Sequence, residues 1–179
     1  MAEARSTRRR FLRRALAGGA LLALGGAVAW VRTRGYDVPK EKAAALQAFA
    51  PWQLVVMEHA ARRIAAPDAE GGAIPSTDEV GVAVFVDGYV AKMPEAVRAD
   101  FLHLLGYLEH LAPAATGRSS RFTRLVPLEQ DAVLAALEAS SQDLLRAGFA
   151  GLKALVMMGY YRDPRTWRIV GYDGPWVKT

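Results

Sequence analysis

Apolar residues in this chain recur every three or four positions along most of its length, which is the spacing of amphipathic helices. A helix is predicted from Pro51 to near Ala66-Pro67, where the proline prevents continuation. Residues 68–75 form a predicted loop, because they contain two glycines and a proline. The core face of the predicted helix consists of Phe49, Trp52, Val56 and Ala60, with His59 at its flank.

The segment after this loop fits two patterns. The valines at positions 80, 82, 84 and 86 alternate as in a strand, whereas a larger set follows helical spacing over 12 positions. We predict a helix, because the helical pattern is longer and because Ser76 followed by Glu79 is a capping-box signature. The helical set is Val82, Phe85, Val86, Tyr89, Val90 and Met93.

Three further helices are predicted downstream. The first of these helices can have Pro94 in its first turn. The second is short and covers residues 127–140, and the third, over residues 142–161, is the longest. From Ala147 onwards the longest helix is apolar on all sides except at Lys153, so we expect it to be central and buried. The apolar face of the helix that Pro94 opens consists of Val97, Phe101, Leu104, Leu105, Leu108 and Leu111. That of the short helix consists of Val133, Leu134 and Leu137.

These elements predict the fold class and the organisation of the chain. With no alternation of strands and helices and no internal repeat, the sequence predicts an all-α, single-domain bundle of about five helices with an aromatic-rich C-terminal tail. Residues 1–29 have the pattern of an export signal, residues 30–49 are a linker or first helix, and residues 50–179 are the helical domain with its tail.

The N-terminal pattern is that of the twin-arginine export pathway, which transports proteins that have already folded. A basic head precedes a glycine- and leucine-rich apolar segment and a small-residue cleavage pattern. The apolar segment has 17 residues, near the lower limit of the roughly 20 that a transmembrane helix needs, so we favour cleavage over a retained anchor. The signal residues are Arg8, Arg9, Phe11 and Leu12, and the candidate cleavage residues are Ala27 and Ala29.

Charge does not favour a nucleic-acid partner. The chain carries 23 basic and 18 acidic residues, but residues 1–29 contain six of the basic ones and one of the acidic ones. The remainder has 17 of each and is neutral, so it lacks the basic surface that phosphate backbones attract. The absence of cysteine excludes disulfides, thiolate metal sites and covalent c-type haem attachment on this chain.

Few side chains indicate catalysis. His103 and His110 lie seven positions apart on one helical face with Tyr107 between them, about 10.5 Å apart along the axis, which is too far for the two axial ligands of one haem. We interpret both histidines as solvated or facing a partner. Carboxylates in the first turns of helices, at positions 78, 79, 129 and 131, are explained by the helix dipole. We therefore assign no catalytic residue and no metal ligand.

Two segments suggest contact with a partner. Residues 112–126 form a predicted loop whose arginines, at positions 118, 121 and 124, are either solvated or face an acidic partner or lipid headgroups. Residues 159–176 contain five aromatics among turn residues, so we expect this tail to fold back over the bundle. Its aromatics either pack on the core or contact a partner, and both can hold if Tyr160 and Trp167 point inward and the others outward. The candidate interface residues are Tyr160, Tyr161, Trp167, Arg168, Tyr172 and Trp176.

The same tail carries a family resemblance. Its motifs are similar to the closing motif of the gluconate 2-dehydrogenase subunit 3 family, and residues 74–87 and 127–137 resemble other segments of that family. Members usually have a glycine- and asparagine-containing insertion before the tryptophan, where this chain has only Arg165-Thr166. The tail motifs are Gly159-Tyr160-Tyr161, Asp163-Pro164, Trp167-Arg168 and Gly171-Tyr172-Asp173-Gly174-Pro175.

The resemblance implies a small, non-catalytic subunit of a periplasmic dehydrogenase associated with the inner membrane. It implies a large FAD-containing sugar or alcohol oxidoreductase as partner and often a cytochrome c subunit, so that FAD and haem c belong to other subunits. Together with the signal, it suggests that the chain escorts the folded flavoprotein through the twin-arginine translocase, with membrane contact through the signal segment or the complex. The alternative is a standalone exported enzyme, or a small-ligand or haem-binding protein, built around His103, Tyr107 and His110.

Overall fold

A computed structural model describes residues 35–65 and 74–174, and within these ranges the chain is all-α. In chain order the α-helices are α1 (Lys40–Ala44), α2 (Pro51–Ile64), α3 (Thr77–Val80), α4 (Val82–Ala91), α5 (Glu95–His110), α6 (Ala112–Ala115), α7 (Pro127–Glu138) and α8 (Asp143–Tyr161). Two 3₁₀ helices follow α6 and α8, at Phe122–Arg124 and at Pro164–Val170; we call the second the tail helix. Because five α-helices of the described part have ten or more residues, the predicted bundle of about five helices is confirmed.

Helix α2 begins where the sequence predicts and contacts each of α4, α5, α7 and α8. Pro51 occupies its first turn, where a missing amide proton removes no helical hydrogen bond. The side-chain oxygen of Gln53 accepts a hydrogen bond from the Ala50 amide at 2.8 Å, which caps the helix start. Leu54 and Met57 are completely buried, so α2 supplies the centre of the core.

The helix predicted after residue 76 is interrupted. Ser76 and Glu79 do form the capping box: the Glu79 carboxylate accepts from the Ser76 amide at 2.6 Å, and the Ser76 hydroxyl accepts from the Glu79 amide at 3.2 Å. The box starts only the four-residue α3, because Gly81 has a φ of +71°, in the left-handed region that ends a helix. The prediction of one continuous helix is therefore wrong, and the strand alternative is excluded as well.

Helices α5 and α8 bury less of their apolar surface than predicted. In α5, Phe101, Leu105 and Leu108 are buried, but Val97 is 50% exposed. Helix α8 contacts the other four long helices yet leaves one side open, so the prediction that it is buried on all sides is wrong. In the described part of the chain, no helix is long and apolar enough to cross a bilayer. The exposed row on α8 consists of Leu144, Ala147, Gly151, Ala154 and Met158.

A buried carboxylate in α4 binds backbone amides from the segment before α2. Asp87 is 1% exposed. Its Oδ2 accepts a hydrogen bond from the Gln47 amide at 2.8 Å, and its Oδ1 accepts from the Ala48 and Phe49 amides at 2.9 and 2.7 Å. These charge-assisted bonds compensate for removing the carboxylate from water, and they fix the non-helical chain between α1 and α2.

A second buried carboxylate fixes the segment between α6 and α7. Glu109 of α5 is fully buried; its Oε1 accepts from the Thr123 hydroxyl at 2.7 Å and its Oε2 from the Thr123 amide at 3.1 Å. The Arg121 Nε lies 3.4 Å from Glu109 Oε1, and the Arg118 Nε lies 3.8 Å from Glu129 Oε1. Two of the three loop arginines thus lie within ion-pair distance of carboxylates of the chain itself, and their side chains are mostly buried, at 23% exposed for Arg118 and 11% for Arg121.

Two of the carboxylates predicted at helix starts form ion pairs between helices; Asp78 does lie in a first turn, whereas Asp131 is the fifth residue of α7. The Asp78 carboxylate accepts from Arg62 Nε at 2.7 Å, and Asp131 accepts two hydrogen bonds from Arg63 at 2.6 and 2.7 Å. These pairs connect α2 to α3 and to α7. Helix-dipole compensation alone is therefore an incomplete explanation for Asp78 and Asp131.

Replacing Asp87 with alanine should lower the free energy of unfolding by about 3 kcal/mol, because three backbone amides lose their acceptor in or near the core. Asp87→Asn keeps one acceptor oxygen and should cost less. Urea unfolding followed by circular dichroism measures both effects. Asp100→Ala, at an exposed position of α5, is the matched control and should change stability by no more than about 0.5 kcal/mol. Equal losses at the two positions would contradict the role of Asp87.

Candidate partner interface

The tail helix begins with a turn that its own side chains stabilise. The Asp163 carboxylate accepts hydrogen bonds from the Arg165 guanidinium, at 2.7 Å for the shortest, and from the Arg165 amide at 2.9 Å. These side-chain and backbone bonds lower the pKa of Asp163 to about 2. Pro164 occupies the first position of the helix, where its fixed φ suits a helix start.

The tail helix is attached to the C-terminal end of α8. The buried Thr166 hydroxyl shares its one proton between the Asp163 carbonyl at 2.8 Å and the Tyr160 carbonyl at 3.2 Å. The indole Nε1 of Trp167 donates to the Tyr161 carbonyl at 2.7 Å. Because the last carbonyls of a helix have no donor within the helix, these side chains supply the missing hydrogen bonds and fix the direction of the tail.

The attached tail helix presents an exposed surface of mixed apolar, aromatic and basic character. Trp167 meets Tyr172 edge to face at a ring-centre distance of 5.1 Å, and Gly171, with a φ of +65°, turns the chain before Tyr172. Beside this pair lies a depression of about 490 Å³. Val170 is 58% exposed and Tyr172 is 43% exposed. We call this the tail surface; it consists of Arg165, Trp167, Arg168, Ile169, Val170 and Tyr172.

The structure brings together only part of the predicted interface set. Trp167, Arg168 and Tyr172 meet at the tail surface. Tyr160 does not, because it is 2% exposed and its hydroxyl donates to the Pro75 carbonyl at 2.9 Å; burial also raises its pKa. Tyr160 is therefore a core residue rather than an interface residue. Tyr161 is half-buried, and its ring packs edge to face with the Tyr160 ring at a centre distance of 5.5 Å.

The remaining predicted site residues lie outside the described ranges and stay predictions from the sequence. They are the signal residues Arg8, Arg9, Phe11 and Leu12, the candidate cleavage residues Ala27 and Ala29, and Trp176 of the tail.

Arg162, which no sequence motif singles out, connects the start of the tail to the break between α3 and α4. Its guanidinium donates to the Val80 carbonyl at 2.8 Å, and its central carbon lies 4.9 Å from the centre of the Phe85 ring. Val80 is the last residue of α3, so this bond supplies a donor to a helix-terminal carbonyl. The contact could not be predicted, because the two segments are 82 residues apart.

A second candidate surface lies between α4, α5 and α8. These helices enclose a groove of about 640 Å³ with mainly apolar walls, which we call the bundle groove. Tyr89 and Leu144 at its edges are 43% and 81% exposed. A Cβ atom added at Gly148 would lie 3.1 Å from Leu104, whereas one added at Gly151 would meet no atom within 4 Å. Gly151 therefore faces open space within the groove.

The histidines of α5 do not form one site. His103 and Tyr107 line the bundle groove. His110 packs against Trp52, with ring centres 5.8 Å apart, and is not part of the groove wall. Within residues 35–65 and 74–174, no group of three or more His, Asp or Glu side chains is placed to hold a metal ion.

The comparisons with known proteins identify the family. A family model described as gluconate 2-dehydrogenase subunit 3 matches residues 51–174, a range that runs from the start of α2 through the tail surface. The chain therefore belongs to the gluconate 2-dehydrogenase subunit 3 family, and the resemblance seen in the tail motifs is confirmed. Comparison with curated proteins and with solved structures finds no match.

His59 should make the stability of the fold depend on pH. Burial, followed by the charge of Arg62, lowers the pKa of His59 below its ordinary value of 6.5. The unfolded chain therefore binds the proton more readily, so the unfolding free energy is highest above about pH 6.5 and decreases as the pH falls towards the folded-state pKa.

Urea unfolding between about pH 8 and pH 5 measures this dependence, over the range in which histidine titrates. The His59 Nδ1 lies 2.9 Å from Gln130 Nε2, so His59→Gln keeps a polar partner there while it removes the titrating group. The variant should show a shallower loss of stability over this range. An unaltered pH dependence in the variant would contradict the assignment to His59.

Proposed function

We propose that this chain is the non-catalytic small subunit of a periplasmic, membrane-associated, FAD-dependent sugar or alcohol dehydrogenase. The observation that carries the proposal is the family match over residues 51–174, since the family is named for a subunit of a dehydrogenase. Because the family name describes this chain as subunit 3, it implies a complex with other subunits that the chain contacts. In this proposal FAD belongs to the large catalytic subunit, and haem c belongs to a cytochrome c subunit where one is present.

The tail surface is the proposed contact with the large subunit. Aromatic and arginine side chains dominate the binding energy of protein interfaces, and this surface combines Trp167, Arg168 and Tyr172 around one depression. Trp167 is held by its hydrogen bond to Tyr161 and by the ring of Tyr172. A side chain that is already ordered loses little conformational entropy on binding, so Trp167 is suited to be a rigid contact.

The proposed second role is export of the partner. The Arg8-Arg9 signal belongs to a pathway that transports folded proteins, so a signal on this subunit can carry a folded, FAD-loaded partner that has no signal of its own. The complex then resides in the periplasm at the inner membrane, with membrane contact through the signal segment or the assembled complex. Stabilisation of the flavoprotein follows from the same contact, because binding to the folded state shifts the folding equilibrium towards it.

One observation favours the alternative of a small-ligand protein. The bundle groove has a volume within the range of about 300 to 1,000 Å³ that small-molecule sites occupy, and His103 and Tyr107 give it polar groups. An absorption spectrum of the purified chain distinguishes the two functions. Haem or flavin bands would favour the ligand protein, whereas a colourless chain that co-purifies with a flavoprotein favours the accessory subunit.

Changing Arg8 and Arg9 together to lysine should prevent export of the large subunit, because the twin arginines define the pathway. In cell fractions of the native host, the FAD-loaded partner should remain in the cytoplasm, with a loss of at least about ten-fold from the periplasmic fraction. Lys40→Arg, at an exposed position of α1, is the control and should leave export unchanged. A partner that still reaches the periplasm with its FAD in the double variant would disprove the escort role.

Val170→Asp should weaken binding of the large subunit, because it places a charge in the exposed apolar part of the tail surface. Val126→Asp is the matched control, since Val126 is 59% exposed and Val170 is 58% exposed. With a tagged chain in the native host, recovery of the flavoprotein should fall about ten-fold or more for the tail variant and stay constant for the control. Equal recovery with both folded variants would show that the tail surface is not the contact.

A further inference from the structure

We propose that the bundle groove binds an amphipathic helix of the large dehydrogenase subunit, with bulky apolar side chains on its buried face and a lysine or arginine at its flank. The inference rests on the proposed function, because it takes the large subunit as the occupant. It adds a second contact that the tail motifs do not indicate.

The exposed row on α8 has the length and spacing of a contact between helices. Its members follow one another at intervals of three and four residues, so they lie on one side of α8. From Leu144 to Met158 the rise is about 21 Å, or roughly four helical turns. A compact small molecule inside the groove would leave the Met158 end of this row uncovered. A helix aligned with α8 would cover all of it.

The shape of the groove fits large side chains from outside. Ala147, Gly151 and Ala154 form a floor of small residues on α8, while Tyr89 and Val97 form larger edges on α4 and α5. Because a Cβ atom at Gly151 would meet nothing within 4 Å, a side chain of an incoming helix can approach the α8 backbone directly. Such interdigitation of side-chain ridges into grooves is how helices pack against one another.

A carboxylate at the edge of the bundle groove indicates that the occupant carries a positive charge there. Asp100 lines the groove and is exposed, and among the described residues no cation lies within ion-pair distance of it. Arg146 of α8 pairs with Asp143 of its own helix. A basic side chain on the partner helix would complement Asp100. A second copy of this chain fits less well, because a two-fold contact would bring groove against groove, and two concave surfaces leave a gap.

Matched arginine variants test the inference in the complex itself. Ala154→Arg places a long charged side chain in the groove, and Ala136→Arg places the same side chain at an exposed position of α7 outside it. With the tagged full-length chain in the native host, Ala154→Arg should reduce recovered flavoprotein, measured by flavin absorbance per chain, by at least about ten-fold. Ala136→Arg should leave it unchanged. Circular dichroism should show the same helix content for both.

A photocrosslinking residue at Leu144 identifies the occupant. Leu144 is 81% exposed, so the change should not disturb folding. In the native complex, the crosslink should map to a helical segment of the flavoprotein with bulky apolar residues and a lysine or arginine. A crosslink to a second copy of this chain, or a small apolar molecule that fills the groove in the purified complex, would overturn the inference.

The outcomes separate this inference from the proposed function. If Ala154→Arg retains the flavoprotein while Val170→Asp releases it, the groove is not the contact and the accessory function stands. If the unaltered chain recovers no flavoprotein at all, the proposed function and the inference both fail. Loss of flavoprotein with Ala154→Arg but not with Ala136→Arg, together with the Leu144 crosslink, supports both.

Discussion

The buried Asp87 carboxylate is the constraint on which the arrangement of the bundle depends. It binds the three amides of residues 47–49, which lead into α2, and α2 contacts every other long helix. A charge can remain in a core only with such partners, so α4 must face this segment with Asp87. Tyr89, two residues further and about 200° around the helix, is thereby directed to the opposite side, where it borders the bundle groove.

Buried polar groups in this molecule bind and fix the segments that connect the helices, while several apolar side chains remain exposed on the surface. Glu109 fixes the loop before α7, and the Tyr160 hydroxyl fixes Pro75 ahead of α3. The exposed row of α8 and the tail surface remain without a covering element in the described part of the chain. Contiguous exposed apolar surface on an otherwise well-packed protein is typical of sites that bind another protein, which is the arrangement a subunit needs.

Local features of the chain were predictable because their physics is local. The capping box of Ser76 and Glu79, the start of α2 at Pro51 and the turn at Asp163-Pro164 each depend on neighbouring residues. The candidate interface was predictable in part, since Trp167, Arg168 and Tyr172 belong to one short segment. Tyr160 could be placed either inward or in the interface from the sequence, because its aromatic character fits both; its burial and its contact with Pro75 place it in the core.

The sequence by itself determined the all-α class, the five long helices apart from the break at Gly81, and the family, since periodicity and short motifs depend only on the order of the residues. Tertiary structure alone decided which apolar residues are covered. Helix α8 is apolar on nearly all sides, and a pattern of that kind cannot show that Gly151 faces open space while Leu152 is buried. Burial depends on which helices pack against α8, and those helices lie far away in sequence. For the same reason, only the fold shows that the Glu109 and Asp87 carboxylates are buried and accept hydrogen bonds from backbone amides instead of facing water.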